Sequence, residues 1–373
     1  MVDDIQEGEI AALDVYDNCG NELIKKGAIL KASLKTSLKK AGIYFLYSDD
    51  NEGSVHTVYK LKTLAELLQV MKCFIASNGE NAEILKKYGK EEIKRFLSAS
   101  NETGNKIAYG HIFRYFATEM VSSLNENKKQ VYDFQDYRTI ETYPEYHIVN
   151  AACITGVLAH NMGLKDEEKV DAITGALLCD IKMNQYKFIG ENRELTGTEK
   201  EEMRQHPLLS FDMARKIYGI PARAALIALQ HHERYDKGGY PKGIGGNDIG
   251  VLGKIAAIAD VYDALTSSRP FRKVYTPSDA WHCIDSNIGI LFDPAVAEEF
   301  KRSIPEYFPG DIVEVKDGDK AIVLENCYGK PQSPSIKIIE KKDKSAIISC
   351  SVKTQTIVKT LESIRQKEQQ WEE

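Results

Sequence analysis

Two aspartates stand where an apolar helical sequence leaves little room for charge. Asp180 closes the run Ala176-Leu177-Leu178-Cys179, and Asp260 sits against Ile255-Ala256-Ala257-Ile258-Ala259. Burying a carboxylate is costly unless a cation or a set of hydrogen-bond donors compensates it. The fold is therefore constrained to bring compensating groups to both positions. Four histidines also lie beside apolar helical stretches. His147 opens Ile148–Leu158, and His206 precedes Pro207, which suits the first turn of a helix. His231 and His232 end the apolar helix that Pro221 opens. A lone buried histidine is more often a hydrogen-bonded core residue than a ligand. A lone aspartate in an apolar helix is rarer and points more firmly to a site. Taken together, the six side chains form a mixed nitrogen and oxygen set suited to Fe, Mn or Zn. Two such ions sharing a carboxylate form an arrangement used to hydrolyse phosphate esters.

The rest of the chain sets the context for that block. Hydrophobic residues make up 43% of the 373 and charged residues 28%, a balance that supports a folded core rather than disorder. The net charge of −6 disfavours duplex nucleic acid as a partner but leaves room for a local basic pocket. No run of about 18 apolar residues occurs, so no membrane span is expected. The N-terminus lacks the basic and apolar regions of a secretory signal. The seven cysteines are scattered and never spaced Cys-x-x-Cys, which fits reduced thiols and a cytoplasmic protein.

The expected fold class is mainly α, in four parts. Residues 1–55 read as a small α/β unit, with strands at Ile10–Tyr16 and Glu22–Leu30 and a short helix at Ser33–Lys40. Residues 56–139 read as a helical connector. Leu61, Leu64, Leu67, Leu68 and Met71 follow the helical period, and a second apolar stretch runs from Ile107 to Leu124. These helices either pack on the next domain or mediate a homodimer. Residues 140–305 form the helical block with the candidate ligands. Residues 306–373 read as a β segment, with strand-rich stretches at 311–315, 321–324, 335–339 and 346–352, ended by a polar helix over 358–370.

Ordered motifs make the block more specific. His231-His232-Glu233-Arg234, Asp236 and Gly239-Tyr240-Pro241 are followed by Ile258-Ala259-Asp260-Val261-Tyr262-Asp263-Ala264-Leu265-Thr266 and Arg269-Pro270-Phe271-Arg272. Leu195-Thr196, Glu199, His206-Pro207 and Phe292-Asp293-Pro294 appear in the same order. Residues 140–305 thereby resemble an HD-GYP domain, a helical subclass of the HD phosphohydrolases that hydrolyse the bacterial second messenger cyclic di-GMP. The resemblance implies one or two divalent ions. One would be held by His147, the pair Cys179-Asp180 and Asp260. The other would be held by Asp180, His206, His231 and His232, with Asp180 shared. It further implies that Asp180 and Asp260 serve catalysis, and that Tyr240, Asp263, Arg269 and Arg272 contact the substrate. The Gly239-Tyr240-Pro241 loop would shape the pocket or receive a protein partner.

The sequence departs from the family pattern His-Asp-x-Gly-Lys, reading Cys179-Asp180-Ile181-Lys182-Met183. Cys179 replaces a metal-binding histidine, and Met183 replaces a lysine that contacts phosphate. Tyr143 stands where members with a third ion carry glutamate, so no third ion is expected. A cysteine ligates only as thiolate; otherwise Cys179 is a small buried residue. Two functions stay open: a cyclic di-GMP phosphodiesterase of reduced activity, and an inactive cyclic di-GMP sensor or protein-interaction module.

Overall fold

The computed structural model describes residues 7–11, 15–16, 22–25, 27–40, 106–132, 143–191, 193–216, 218–267, 274–309, 311–330, 333–341 and 357–362. The expected helical period at Leu61–Met71, the strand-rich stretch 346–352 and the end of the chain beyond 362 lie outside these residues. The first part has the expected mixed character. Strand β1 (Val15–Tyr16) pairs antiparallel with β2 (Glu22–Ile24), and an isolated bridge joins Ile10 to Ile29. Helix α1 (Leu34–Lys40) follows, and Ala11, Ile24, Leu30 and Leu38 form a small core of their own.

The helical body comprises α2 (Lys106–Leu124), α3 (Tyr143–Asn161), α4 (Asp166–Leu178), α5 (Gly197–Met203), α6 (His206–Lys216), α7 (Ala222–Gln230), α8 (Val251–Thr266), α9 (Pro277–Asp285) and α10 (Pro294–Ser303). Local chemistry sets several of the boundaries. Thr196 caps α5 in a reciprocal box with Glu199, and Thr276 and Asp293 cap α9 and α10, each ahead of a proline. α3, α4 and α8 carry almost unbroken buried apolar faces. α2 belongs to the same core: Phe113, Phe116, Ala117 and Met120 are buried in it, and the helix packs on α3 and α4. Of the two arrangements expected for the 56–139 stretch, its described helix takes the one packed on the block that follows, whose hydrophobic core it shares.

Two contacts hold the ends of α4 and α7 together. Gly175 sits where a Cβ would come within 2.4 Å of the Ala224 carbonyl oxygen, so only glycine permits this approach. Asp171, on the same helix, is 3% exposed and accepts from Arg114 of α2 and Arg223 of α7, both at 2.6 Å. The C-terminal part is a four-stranded antiparallel sheet in the order β5 (Ser335–Glu340), β4 (Lys320–Glu325), β3 (Ile312–Val315), β6 (Ile357–Glu362). β6 corrects the polar helix expected from residue 358. Ile357, Val358 and Thr360 are β-branched, and the open edge of β3 offers them a ladder. The sheet is tied to the helical body where the Tyr328 hydroxyl donates to Glu299 Oε1 at 2.8 Å and Asn326 Nδ2 donates to the Tyr307 carbonyl at 2.9 Å. Among the described residues no helix is long and apolar enough to cross a membrane.

Asp171→Asn removes the shared charge while keeping the shape. We expect a loss of about 2–3 kcal/mol, below the ~3–5 of a fully buried pair because both guanidinium groups are partly solvated. A urea denaturation midpoint equal to wild type would contradict this role for Asp171.

Candidate metal centre

The six candidate ligands come from the ends and faces of five helices. His147 lies in the first half of α3, and Asp180 stands just past the end of α4. His206 begins α6, His231 and His232 follow α7, and Asp260 lies on α8. Their ligand atoms fall into two sets. Asp180, His206, His231 and His232 form one, and His147, Asp180 and Asp260 form the other, with all ligand atoms of each set within 4.8 Å of one another. Asp180 is common to both. The convergence expected of distant helices is met for these six residues.

Hydrogen bonds on the far side of three rings fix which nitrogen faces the site. His206 Nδ1 is 2.7 Å from the Met203 carbonyl oxygen, and His231 Nδ1 is 2.8 Å from the Ala228 carbonyl oxygen. A carbonyl can only accept, so both nitrogens donate, and in the neutral ring that an ion requires each Nε2 presents a lone pair. His147 Nδ1 lies 2.7 Å from Asp263 Oδ2, which leaves its Nε2 3.0 Å from Asp260 Oδ1 and 3.5 Å from Asp180 Oδ2. This is how a second layer of acceptors orients metal-binding imidazoles.

With its imidazoles neutral, the centre gathers electron pairs that have no proton to share. Asp180 Oδ1 lies 3.1 Å from His206 Nε2 and 3.4 Å from His231 Nε2, yet it is buried and accepts no hydrogen bond. The two Nε2 atoms are themselves 3.4 Å apart. Such a cluster calls for a cation. Burial alone would raise the Asp180 carboxyl, but the His147, His206 and His231 rings hold it well below the usual carboxylate range. Burial would likewise lower His147 and His231, and the facing carboxylates reverse the direction and raise both. His232 moves the other way, lowered by burial and by the neighbouring His231 and His206 rings, which keeps it neutral and able to ligate. Asp180, His206, His231 and His232 thus fit a divalent ion as a complete set of four. The second set offers three groups.

Cys179 does not enter either set. Its Sγ turns back on α4 and donates to the Ala176 carbonyl oxygen at 3.1 Å. Burial and the Asp180 and Asp260 charges push its thiol well up, away from the thiolate a metal needs. Cys179, expected among the ligands, stands at the place of a ligand but with its thiol turned to the Ala176 carbonyl. Asp263 is corrected too. It is 1% exposed and lies behind His147, so it positions a ring rather than contacting a substrate.

Tyr240 does border the centre. Its ring stacks on His232 with centroids 4.8 Å apart at 27°. Glu233, passed over as part of a motif, holds the loop that carries it. The Glu233 carboxylate, 3% exposed, accepts from the backbone N–H of Lys242 at 2.8 Å and of Ile244 at 3.1 Å. A carboxylate beside two histidines draws attention as a ligand, and only the loop path shows its other task. Gly239 lies where a Cβ would come within 2.5 Å of the Arg234 backbone nitrogen, so the loop can close over Glu233 only with glycine there. Arg269, Arg272 and the Tyr143 side chain lie outside the described residues.

With this geometry, the comparisons with known proteins fall into place. Residues 122–296 match the HD domain family. A cyclic di-GMP phosphodiesterase of Pseudomonas aeruginosa is 30% identical over 203 residues, covering 54% of this chain and 49% of the relative. The cyclic di-GMP phosphodiesterase response regulator RpfG of Xanthomonas campestris is 34% identical over 155 residues, 40% of each protein. A cyclic di-GMP phosphodiesterase of Thermotoga maritima is 32% identical over 190 residues, 50% of this chain and 51% of the relative. The match and these relatives support reading this block as an HD domain of the HD-GYP kind. It spans about half the length, or less, of these curated relatives.

Asp263→Ala leaves every ligand in place but frees the His147 ring. We expect metal affinity at the His147 set to fall about 10–100-fold, while the four-residue set keeps its ion. His206→Ala should do the reverse. Metal-to-protein ratios from inductively coupled plasma mass spectrometry after graded chelation separate the two patterns.

Proposed function

We propose that this HD domain is a metal-dependent phosphodiesterase module that binds cyclic di-GMP and hydrolyses it slowly. The observation that carries the proposal is the Asp180 carboxylate, largely buried and common to two ligand sets. When bound, divalent ions supply Lewis acidity toward a phosphoryl oxygen and a nucleophile from water at neutral pH. The protein's own residues hold the geometry. Asp180 and Asp260 keep negative charge at fixed points, and the Nδ1 bonds of His147, His206 and His231 keep their lone pairs aimed inward. Tyr240, stacked on His232, walls the pocket, and Glu233 fixes its loop. Arg269 and Arg272 are assigned to the phosphates, where a planar fork of donors suits two oxygens at once.

Slow turnover follows from two positions. Cys179 removes a ligand from the His147 set. Met183, half-buried in the short turn after Asp180, has no charge to offer a phosphate. Loss of one charged contact to the reacting group costs about 2–4 kcal/mol in the transition state. A second reading, binding without hydrolysis, draws support from the Cys179 thiol bonded to Ala176, because the incomplete set then has three groups.

The deciding experiment loads the full chain with Mn²⁺ or Fe²⁺ and follows cyclic di-GMP and its linear product by chromatography. We expect slow hydrolysis that Asp180→Ala abolishes. The double substitution Cys179→His with Met183→Lys should raise the rate by at least about tenfold, a change of ~1.4 kcal/mol in the barrier. Binding with no product from either the wild type or the double variant would establish the sensor reading instead.

A further inference from the structure

The turn between α5 and α6 presents a guanidinium to which neither ligand set has a claim. Arg204 closes the C-terminal end of α5, its backbone N–H donating to the Lys200 and Glu202 carbonyls. Two residues later His206 begins α6, its ring held by the Met203 carbonyl. The backbone of Arg204 is therefore tied into the turn that orients a ligand imidazole. Its side chain reaches over the Tyr240 ring, with Cζ 5.4 Å from the ring centre. Tyr240 in turn stacks on His232. The order His232, Tyr240, Arg204 runs from the complete ligand set outward, and the Arg204 side chain is 51% exposed.

This arrangement leaves Arg204 available to an anion. Contact with the ring uses the face of the guanidinium, whereas hydrogen bonds leave from its edge. One edge nitrogen, Nη1, is 2.7 Å from Glu201 Oε1, a side chain 69% exposed and three residues away on the same helix. Ion pairs of that kind are weak and yield to a better-placed partner. A ligand seated on the complete set brings phosphate charge toward the rim where Tyr240 holds this edge.

We infer that Arg204 binds a phosphate oxygen of the phosphodiester ligand, with Tyr240 as the platform that keeps its guanidinium at the mouth of the complete set. The inference rests on the phosphodiester reading above and adds a contact to it.

The test titrates the Mn²⁺-loaded full chain by calorimetry with cyclic di-GMP and, separately, with bis(4-nitrophenyl) phosphate, a phosphodiester without nucleobases. Arg204→Ala is expected to weaken both about tenfold, the worth of one charge-assisted hydrogen bond, with metal content unchanged. Arg204→Lys should recover part of the loss, and Glu201→Gln should tighten binding by freeing the guanidinium. Equal affinity of Arg204→Ala and wild type for both probes overturns the inference. A loss confined to cyclic di-GMP also overturns it, since the contact would then be to a base. Loss of metal along with affinity assigns Arg204 to the turn instead, and overturns it as well. A wild type that binds the simple diester but not cyclic di-GMP sinks the dinucleotide reading and leaves Arg204 standing. Binding of neither probe sinks both.

Discussion

Everything in the helical body answers to the burial of negative charge at Asp180 and Asp260. Neither carboxylate can be left alone in an apolar interior, and the chain meets the demand with imidazoles delivered by three other segments. α3 supplies His147, the start of α6 supplies His206, and the end of α7 supplies His231 and His232. The packing serves that delivery. Gly175 lets α4 and α7 approach closely enough for Asp180 and the histidine pair to meet just beyond their ends. Asp171, one turn before Gly175 on the same face, fastens the same two helices and adds α2.

Much of this was legible in the sequence because charge inside an apolar run is hard to explain any other way. Asp180, Asp260 and the four histidines could be picked out before any contact was known, and Pro207 and Pro221 placed the histidines at helix ends. What the sequence could not convey was direction. Asp263 sits three residues after Asp260 and so shares its side of α8, but that spacing does not say whether it meets a substrate or the back of His147. Cys179 is adjacent to Asp180, yet its thiol turns to Ala176 while the carboxylate enters the centre. Glu233 had no role assigned beyond its place in a motif, and it is the anchor of a loop. In each case the deciding quantity is a side-chain angle set by tertiary neighbours.

The C-terminal part failed in a different way. Polar residues after Val358 suit a helix by composition, but Ile357–Glu362 is taken up as an edge strand because β3 has an unpaired side to fill. Local preference is small beside a row of backbone hydrogen bonds. The packing of α2 is likewise settled far along the chain, since Phe113, Phe116 and Met120 lie in the core that α3 and α4 share.

Because one carboxylate serves both ligand sets, the two cannot fill independently. The four-residue set offers one more group, so it would take the first ion and share the charge of Asp180 with it. An ion beside His147 and Asp260 would then meet an oxygen already placed but less negative. Loading would follow an ordered sequence, graded by the metal available around the protein between half-filled and filled states.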